Sequence, residues 1–386
     1  MIIAIISGKT KMNKIVSFLY PTLQRARFAK FISLFNSAKK LPLESDKILM
    51  FTTSRGKLGG NLIAIKNYIE SNDLPYKITA FTSVDMLDEK TVAREMATSK
   101  YIFVDDFEPR VYVLKLREGQ HLVQVWHAMG AFKKFGYSRS SAEKNSLTHK
   151  NYTEAIVSSP ELITIYAEAF GIDESKIKPV GVPRTDMLFD AEYKAKTIER
   201  LYEKEPRLKD KKVCLFAPTF RGNSVNDGCY PKEFLDIKRL ADALGDEWAL
   251  ILKYHPFIKN PAEIPNEVKD RVFDFGDERE INDILFITDV LVTDYSSVIF
   301  ENAVLGNPCI LYAPDLADYE GERGFYFEYD AYSCGQVVKN KNELAEAIKS
   351  AGNNTEKSDE FKRRFVSLCD GNSSERFVNE IIEKAK

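Results

Sequence analysis

The feature that most constrains the fold of this chain is a regular alternation of short apolar runs with helical patterns. In the first half of the chain, apolar runs of strand length lie at 47–53, 76–81, 101–106, 121–126, 155–158 and 178–180. In the second half, such runs recur at 213–217, 248–253, 272–275, 290–293 and 309–312. Alternation of this kind predicts a parallel sheet with helices on both faces. The sequence therefore predicts an α/β protein with two doubly wound domains.

A long charged helix at 187–205 leads from the first series to the second, and the Glu205–Pro206 pair ends it. A chain of 386 residues is long enough to bury two hydrophobic cores. Where two such domains face each other, loops after strands converge, so we expect a ligand crevice between the carboxyl ends of both sheets. The predicted parts are a basic arm at 1–45, a first domain at 46–205, and a second domain with C-terminal helices at 206–386.

Composition excludes several classes of protein. The formal net charge of −2 gives no overall reason to expect nucleic acid as a partner. Five scattered cysteines without a Cys-x-x-Cys pair argue against a disulfide framework and a zinc site, and they favour a reducing, cytosolic compartment. No apolar run approaches the roughly 20 residues that cross a bilayer, and we expect neither a transmembrane helix nor a signal peptide.

The first 43 residues contain eight basic residues and no Asp or Glu, although the total charge of the chain is nearly balanced. Within them, Phe28, Phe31, Ile32 and Phe35 follow the i, i+3, i+4, i+7 spacing of one helix face. A basic, aromatic, amphipathic helix suits an anionic membrane surface, into which the three phenylalanines are expected to insert. The alternative is a basic helix that packs the same apolar face on the first domain.

One stretch, 289–302, has the pattern of a strand, a tight turn and the start of a helix. The free backbone N–H groups of the helix and the hydroxyls of Ser296 and Ser297 form a natural site for a phosphate. Glu301 follows Ser297 by four residues and lies on the same helix face, where it can accept hydrogen bonds from ribose hydroxyls. The alternative is that Ser296 only caps the helix and that Glu301 is solvated.

Two of the four histidines, His127 and His255, follow predicted strands directly, one in each domain. In an open α/β sheet that position faces the crevice, which favours a catalytic role over a structural one. Arg184 and Arg221 occupy similar positions after strands. Because a guanidinium matches two phosphate oxygens at once, both are candidate phosphate ligands, and surface ion pairs are the alternative.

Taken together and in order, the motifs resemble the CDP-glycerol glycerophosphotransferases of teichoic acid synthesis. The resemblance covers about 47–329 and rests on Trp126–His127 with Lys133 and Gly136, on 181–186, 217–221, His255–Pro256 and 293–297, and on Tyr319 with 323–326. It implies two Rossmann-like domains facing a cleft (a GT-B-like fold), with the acceptor on the first domain and the nucleotide donor on the second. It also implies peripheral attachment to the cytoplasmic face of the membrane.

By this resemblance, the protein transfers glycerol phosphate from CDP-glycerol to an undecaprenyl-diphosphate-linked saccharide. The run at 127–132 looks closer to the priming branch of the family than to its polymerases, while Thr185 and Glu301 depart from the usual residues at their positions. These departures leave the polyol and the acceptor open. CDP-ribitol is an alternative donor, and a nucleotide-sugar glycosyltransferase and a non-catalytic membrane-binding module are further alternatives.

The predicted mechanism is attack of an acceptor hydroxyl on the β-phosphorus of the donor, with CMP leaving. His127 is the expected general base, because histidine titrates nearest the working pH. The scheme requires no metal ion and no cofactor. The predicted donor ligands are His255, Arg184, Arg221, Ser296 and Ser297 around the pyrophosphate, Glu301 at the ribose and, from the family motifs, Thr293, Asp294 and Arg323.

Overall fold

The computed structural model of the protein describes residues 14–52, 56–82, 88–222, 227–259, 261–332, 334–353 and 355–384. It contains two parallel six-stranded sheets. The strands of the first sheet are β1 (Glu44–Phe51), β2 (Lys77–Phe81), β3 (Ser99–Val104), β4 (His121–Gln124), β5 (Glu154–Val157) and β6 (Ile177–Pro179). Those of the second are β7 (Lys212–Phe216), β8 (Trp248–Leu252), β9 (Val272–Asp274), β10 (Val290–Thr293), β11 (Cys309–Tyr312) and β12 (Gln336–Val338).

Helices cover the faces of both sheets. They are α1 (Lys14–Arg27), α2 (Ala29–Ala38), α3 (Gly60–Ser71), α4 (Glu89–Thr98), α5 (Pro109–Tyr112), α6 (Ile163–Phe170), α7 (Ala191–Lys204), α8 (Ile237–Leu244), α9 (Ile281–Leu285), α10 (Val298–Leu305), α11 (Leu316–Arg323), α12 (Leu344–Ser350), α13 (Thr355–Phe365) and α14 (Ser373–Phe377). A 3₁₀ segment spans Pro183–Phe189, and a π-helical turn at Val378–Glu383 extends α14.

The strand orders confirm the predicted pair of doubly wound domains. The first sheet has the order β2-β1-β3-β4-β5-β6, and the second has β12-β11-β10-β7-β8-β9. Counted within its own domain, the second order is 6-5-4-1-2-3, which is the Rossmann order, with its switch point between β7 and β10. The sequence missed β12, a three-residue edge strand too short to give a pattern.

Helix α2 corrects one expectation about the N-terminal arm. Phe31 and Phe35 are 1% and 0% exposed, and they belong to the core of the first domain. Phe28 packs against the same core. The prediction that these rings insert into a membrane is therefore wrong for Phe31 and Phe35, because the first domain already covers that helix face. Most of the large exposed apolar side chains of the arm belong instead to α1, where Phe18 is 78% and Leu23 is 48% exposed, while Leu41 lies after α2.

Of the C-terminal helices, which the sequence assigned to the second domain, α12 packs there, but α14 and the π-helical turn after it pack on the first domain. The Phe377 ring packs edge-on against Phe103 of β3, with centroids 5.1 Å apart. The Tyr101 hydroxyl donates to the carbonyl oxygen of Ile382 at 2.9 Å. Asp186 accepts the first N–H groups of α14, at 2.9 and 2.7 Å, so its carboxylate caps that helix. The last described helical segment therefore packs on the first sheet.

Candidate active site

Two neighbouring cavities open where the carboxyl ends of the two sheets face each other. Cavity I has a volume of about 270 Å³, and its lining includes Gly60, Arg184, Lys253, Arg279, Glu280 and Glu301. Cavity II has a volume of about 540 Å³, and its lining includes the continuous segment 126–136 together with Arg139, Thr219 and Phe220. Three residues line both cavities, namely His255, Ser296 and Ser297. The predicted crevice is thus a pair of cavities that meet at the second domain.

His127 follows β4 and lines cavity II, as the sequence predicted. The backbone of the preceding Trp126 is left-handed, with φ of +53°, and its indole packs on the His127 ring with centroids 4.4 Å apart. His127 Nδ1 lies 3.2 Å from the carbonyl oxygen of Asp105 and 3.5 Å from Asp106 Oδ1. A carbonyl oxygen only accepts, so Nδ1 carries the proton and the neutral ring has its lone pair on Nε2.

A buried polar chain supports the strained turn at Trp126. Gln124 Oε1 accepts the backbone N–H of Trp126 at 2.8 Å, while Gln124 Nε2 donates to the Tyr152 hydroxyl at 2.7 Å. That hydroxyl lies 3.0 Å from His149 Nδ1. Burial lowers the pKa of His149 to about 4, against a smaller opposing effect of the Asp106 charge, so this ring is neutral at pH 7 and can accept. The chain fixes the backbone that orients His127.

His255 has the opposite tautomer. Its Nδ1 accepts the backbone N–H of Phe257 at 3.2 Å, so the neutral ring carries its proton on Nε2. Burial lowers the pKa of His255, and the positive charges of Lys133 and Lys253 lower it further. The ring also packs on Phe220, with centroids 4.8 Å apart. At neutral pH, His255 is therefore a hydrogen-bond donor at the point where the two cavities meet.

Arg184 and Glu301 form an ion pair that joins the first domain to the second. Arg184 also donates to the carbonyl oxygen of His127. Both residues line cavity I, yet Arg184 Nε and Glu301 Oε2 are buried and have no hydrogen-bond partner among the described residues. A buried polar atom without a partner costs free energy until a ligand or water satisfies it. Both predicted residues thus reach the cavity, with unused hydrogen-bonding capacity.

Sequence reasoning missed Asn61, which ties the two first-domain loops together. Its Nδ2 donates to the carbonyl oxygens of Val125 and Trp126, at 2.7 and 3.0 Å, and its Oδ1 accepts the backbone N–H of Arg184 at 3.0 Å. Asn61 is buried at the start of α3, directly after Gly60, which has φ of +55° and lines cavity I. The signal for this position was the Gly-Gly-Asn run between β1 and its helix.

The predicted strand, turn and helix start are confirmed, and the start of α10 lies between the two cavities. Ser296 and Ser297 precede the helix, and Glu301 faces cavity I from its first turn. The loop after His127 packs tightly here: Gly130 has φ of +66°, and a Cβ at this position would lie 2.3 Å from the Phe300 ring. The close approach holds the first-domain loop against the second-domain helix that carries the serines.

Arg221, Thr293 and Asp294 are corrections to the predicted ligand set. Arg221 forms a two-point ion pair with Asp315, at 2.6 and 2.9 Å, and its Nη1 donates to Asp294 Oδ2 at 2.9 Å. Thr293 donates to the carbonyl oxygen of Ala217 at 2.6 Å. Among the described residues that line the cavities, these three do not appear. The structure therefore places them in a buried support behind the cavities, where their printed partners already occupy these side chains.

The role of Arg323 stays a prediction. Its backbone ends α11, whereas its side chain lies outside the described residues. Lys253 and Arg279, which the sequence did not single out, add positive charge to cavity I. Lys253 directly follows β8, and its Nζ donates to the carbonyl oxygen of Gly276 at 3.1 Å. Its position two residues before His255 was the available signal.

Comparison with known proteins gives one matching family model, over residues 33–383, described as CDP-glycerol:poly(glycerophosphate) glycerophosphotransferase. The teichoic acid poly(ribitol-phosphate) polymerase of Bacillus spizizenii is 43% identical over 364 residues, which are 91% of this chain and 59% of that protein. The teichoic acid ribitol-phosphate primase of the same organism is 33% identical, over 88% of this chain and 91% of the primase. The higher identity to the polymerase opposes the expected closeness to the priming branch.

Among solved structures, the wall teichoic acid polymerase TagF matches with a TM-score of 0.75 and 22% identity, covering 97% of this chain and 98% of that chain. At this identity the match bears on the fold, which is GT-B-like as predicted. The chain spans 59% of the length of the 43% identical polymerase.

Proposed function

Because the chain belongs to the CDP-glycerol:poly(glycerophosphate) glycerophosphotransferase family, we propose that it transfers an alditol phosphate from a CDP-alditol to a teichoic acid acceptor, with release of CMP. The observation that carries this proposal is the opposite tautomers of the two crevice histidines. His127 has a lone pair on Nε2 and faces cavity II, whereas His255 has a proton on Nε2 where both cavities meet. A base and a proton-bearing donor are what transfer from a pyrophosphate to an alcohol needs.

Ribitol is the first candidate for the alditol, because the 43% identical relative is named a poly(ribitol-phosphate) polymerase. Glycerol, which the family resemblance implied, is the second candidate, because the family description names CDP-glycerol. Incubation with each donor and a short synthetic acceptor, read by mass spectrometry, separates the two. We expect a larger kcat/KM with CDP-ribitol, and equal or higher values with CDP-glycerol would reverse this order.

In the proposed mechanism, an acceptor hydroxyl in cavity II attacks the β-phosphorus of a donor bound in cavity I. His127 Nε2 takes the proton of that hydroxyl as the new P–O bond forms. The bond between the β-phosphorus and the bridging oxygen breaks, and CMP leaves with that oxygen. Asp105 and Asp106 hold the ring in position and stabilise the imidazolium that forms.

The donor pyrophosphate, whose α-phosphate leaves as part of CMP, is surrounded by groups that oppose its negative charge. His255 donates from Nε2, and the turn before α10 contributes the hydroxyls of Ser296 and Ser297 at the positive end of the helix dipole. Arg184 adds a guanidinium whose Nε is unused, while Glu301 Oε2 accepts from the ribose. Changing Ser297 and Arg184 to Ala together is expected to weaken donor binding, measured by calorimetry. An unchanged donor dissociation constant would contradict this assignment.

The released nucleotide is the second test of the reaction class. We expect CMP in amounts equal to the transferred alditol phosphate. Release of CDP, or of another nucleoside diphosphate from a nucleotide sugar, would instead favour the glycosyltransferase alternative. If no CDP-alditol binds, the non-catalytic membrane-binding alternative gains support.

We further propose that α1 contacts an anionic membrane surface on the cytoplasmic side. It exposes Phe18, Leu19 and Leu23, and its last turn carries Arg25 and Arg27. No helix in the described part of the chain is long and apolar enough to cross a membrane. Apolar insertion combined with attraction of basic residues to anionic headgroups supports peripheral binding.

Vesicle sedimentation tests this contact. Binding to anionic vesicles is expected to exceed binding to neutral ones and to fall at high salt, because the electrostatic part is screened. Changing Phe18 and Leu23 to Ser should reduce it further, whereas the same change at Phe189, an exposed ring elsewhere on the surface, should not. Equal binding to neutral and anionic vesicles would contradict the proposal.

A further inference from the structure

One helix is attached to two separate parts of the lining of cavity I. Helix α7 directly follows the 3₁₀ segment Pro183–Phe189, which carries Arg184, and leads from the first domain into the second. Its side chains also contact the loop between β9 and α9, and residues 279–282 of that loop and helix line the cavity as well. The proposed mechanism uses Arg184 and Glu301 but gives residues 279–282 no role.

The contacts to this wall come from one face of α7. Tyr193 and Arg200 lie seven residues apart, which is about two helical turns, so they share that face. The Tyr193 hydroxyl donates to Asp283 Oδ1 at 2.7 Å. Arg200 donates to Asp283 Oδ2 at 2.7 Å and to Glu278 Oε2 at 2.7 Å. Glu278 and Asp283 flank residues 279–282, so α7 holds this wall at both of its ends.

The two carboxylates that α7 holds are largely withdrawn from water. The side chain of Glu278 is 10% exposed and that of Asp283 is 8% exposed. Burial raises the pKa of Asp283, whereas the hydrogen bond from Tyr193 and the charge of Arg200 oppose that shift. A buried carboxylate that loses its counter-ion is costly. We therefore expect the loss of Arg200 to displace the wall, because the carboxylates move toward water.

The start of the same loop has anchors of its own. Lys253 Nζ, in cavity I, donates to the carbonyl oxygen of Gly276 at 3.1 Å. Lys204, in the last turn of α7, forms an ion pair with Asp277 at 2.8 Å. These contacts fix where the loop begins, whereas Tyr193 and Arg200 fix the segment that lines the cavity. The wall is thus held in place before a ligand arrives, which reduces the entropic cost of binding.

We propose that Tyr193 and Arg200 are positioning residues for the donor, because they act through Glu278 and Asp283 to hold residues 279–282 in a fixed position relative to Arg184. Neither of the two appears among the described residues that line the cavities, so they act through the loop and not by contact. This assignment rests on the proposed function and deepens it. Loss of either side chain weakens binding of the CDP-alditol and leaves the acceptor cavity and the transfer step intact.

The test measures binding and turnover on the same variants. Arg200→Met should raise the dissociation constant and the KM of CDP-ribitol by about five- to tenfold, with kcat and the acceptor KM within about twofold of wild type. Tyr193→Phe removes one hydrogen bond and no charge, so it should raise the same two donor constants by about two- to threefold. Arg200→Lys keeps the charge but not the two-point geometry, so it should restore part of the loss. Calorimetry and rates of CMP release measure these quantities.

Arg207→Met is the matched control. Arg207 lies shortly after α7 and forms a two-point ion pair with Glu205, with both contacts at 2.7 Å. It is not among the described residues that line cavity I. Its loss should leave both donor constants within about twofold of wild type, because this pair is exposed and does not hold the wall. Chemical denaturation checks that each variant is folded under the assay conditions.

The outcomes are distinct. An unchanged dissociation constant of CDP-ribitol in the folded variants would overturn the proposal, and Tyr193→Phe decides alone if Arg200→Met does not fold. A fall in kcat with an unchanged donor KM, or equal rises of the donor and acceptor KM, would also overturn it, because a general structural loss gives those patterns. If the wild-type protein binds CDP-ribitol but releases no CMP, the proposed function fails, while calorimetry still decides the positioning role. If it binds neither CDP-ribitol nor CDP-glycerol, both proposals fail.

Discussion

The carboxyl edges of the two sheets carry the same pair of residue types but use them differently. On the first sheet, His127 and Arg184 both reach the cavities, with an Nε2 lone pair on one and an unused buried Nε on the other. On the second sheet, His255 reaches the cavities, whereas Arg221 is committed to two aspartates. Position after a strand is therefore not sufficient to assign a role, because the counter-ions that surround the side chain decide it.

The two edges also differ in the chemical role that each histidine can play. Nδ1 of His127 faces a backbone carbonyl oxygen, whereas Nδ1 of His255 faces a backbone N–H group. The two neutral rings therefore have opposite tautomers. The first edge is thus suited to accept a proton, and the second is suited to donate hydrogen bonds to a leaving phosphate.

The largest expected effect comes from His127→Gln. We expect transfer to fall by about 10²–10⁴-fold, because the general base acts in the transition state, while the donor dissociation constant changes by less than about threefold. Rates of CMP release and calorimetry measure the two. The matched control is His121→Gln, at the other end of β4, where the ring pairs with Glu154 at 3.1 Å. Turnover of His127→Gln within about tenfold of wild type would remove this residue from the base role.

The second prediction compares the two arginines. Arg221→Met leaves Asp294 and Asp315 without their buried cation and should lower the free energy of unfolding by about 3–5 kcal/mol. The double change of Arg184 to Met and Glu301 to Gln removes both charges of that pair, so it should cost less stability and instead weaken donor binding by more than about tenfold. Chemical denaturation and calorimetry measure the two quantities. If both variants lost stability equally and bound donor equally, the contrast between the edges would be wrong.

The smallest predicted effect concerns the support beneath the first edge. Burial lowers the pKa of His149 to about 4, below its ordinary value near 6.5. As the pH falls, His149 takes up a proton in the unfolded chain before it does so in the folded protein. The contribution of neutral His149 to the free energy of unfolding is therefore fully present above about pH 6.5 and is lost as the pH falls toward 4. His149→Asn keeps a residue type that tolerates the φ of +66°. Because asparagine does not titrate, the free energy of unfolding of this variant should fall by up to about 3 kcal/mol less than that of the wild type as the pH falls toward 4. Unfolding curves of both proteins, recorded at neutral pH and near pH 4, measure this difference.

Much of the fold could be predicted from the sequence, because parallel strands buried on both faces leave near-continuous apolar runs. The placement of His127, His255 and the two serines followed from the rule that ligands bind at the carboxyl ends of such strands. The commitment of Arg221 could not be predicted, since its partners lie 73 and 94 residues away in sequence.

The arm shows the same limit. An amphipathic pattern identifies an apolar helix face but does not identify what covers it. For Phe31 and Phe35 the cover is the first domain, and the sequence favoured the membrane because acidic residues were absent. The left-handed backbone of Trp126 likewise has no signal in the sequence, as it depends on Gln124 and Asn61.

The return of α14 and the π-helical turn after it to the first sheet has a consequence for synthesis in the cell. Phe103 and Tyr101 of β3 stay uncovered until Phe377 and Ile382 have been made. At about 5–20 residues per second, that interval lasts on the order of ten to thirty seconds after the first domain has left the ribosome. During it, the nascent first domain exposes the part of this apolar sheet face that α3 does not cover, which makes it a client for chaperones. A ribosome that stalls in the second half would therefore release a first domain prone to aggregation.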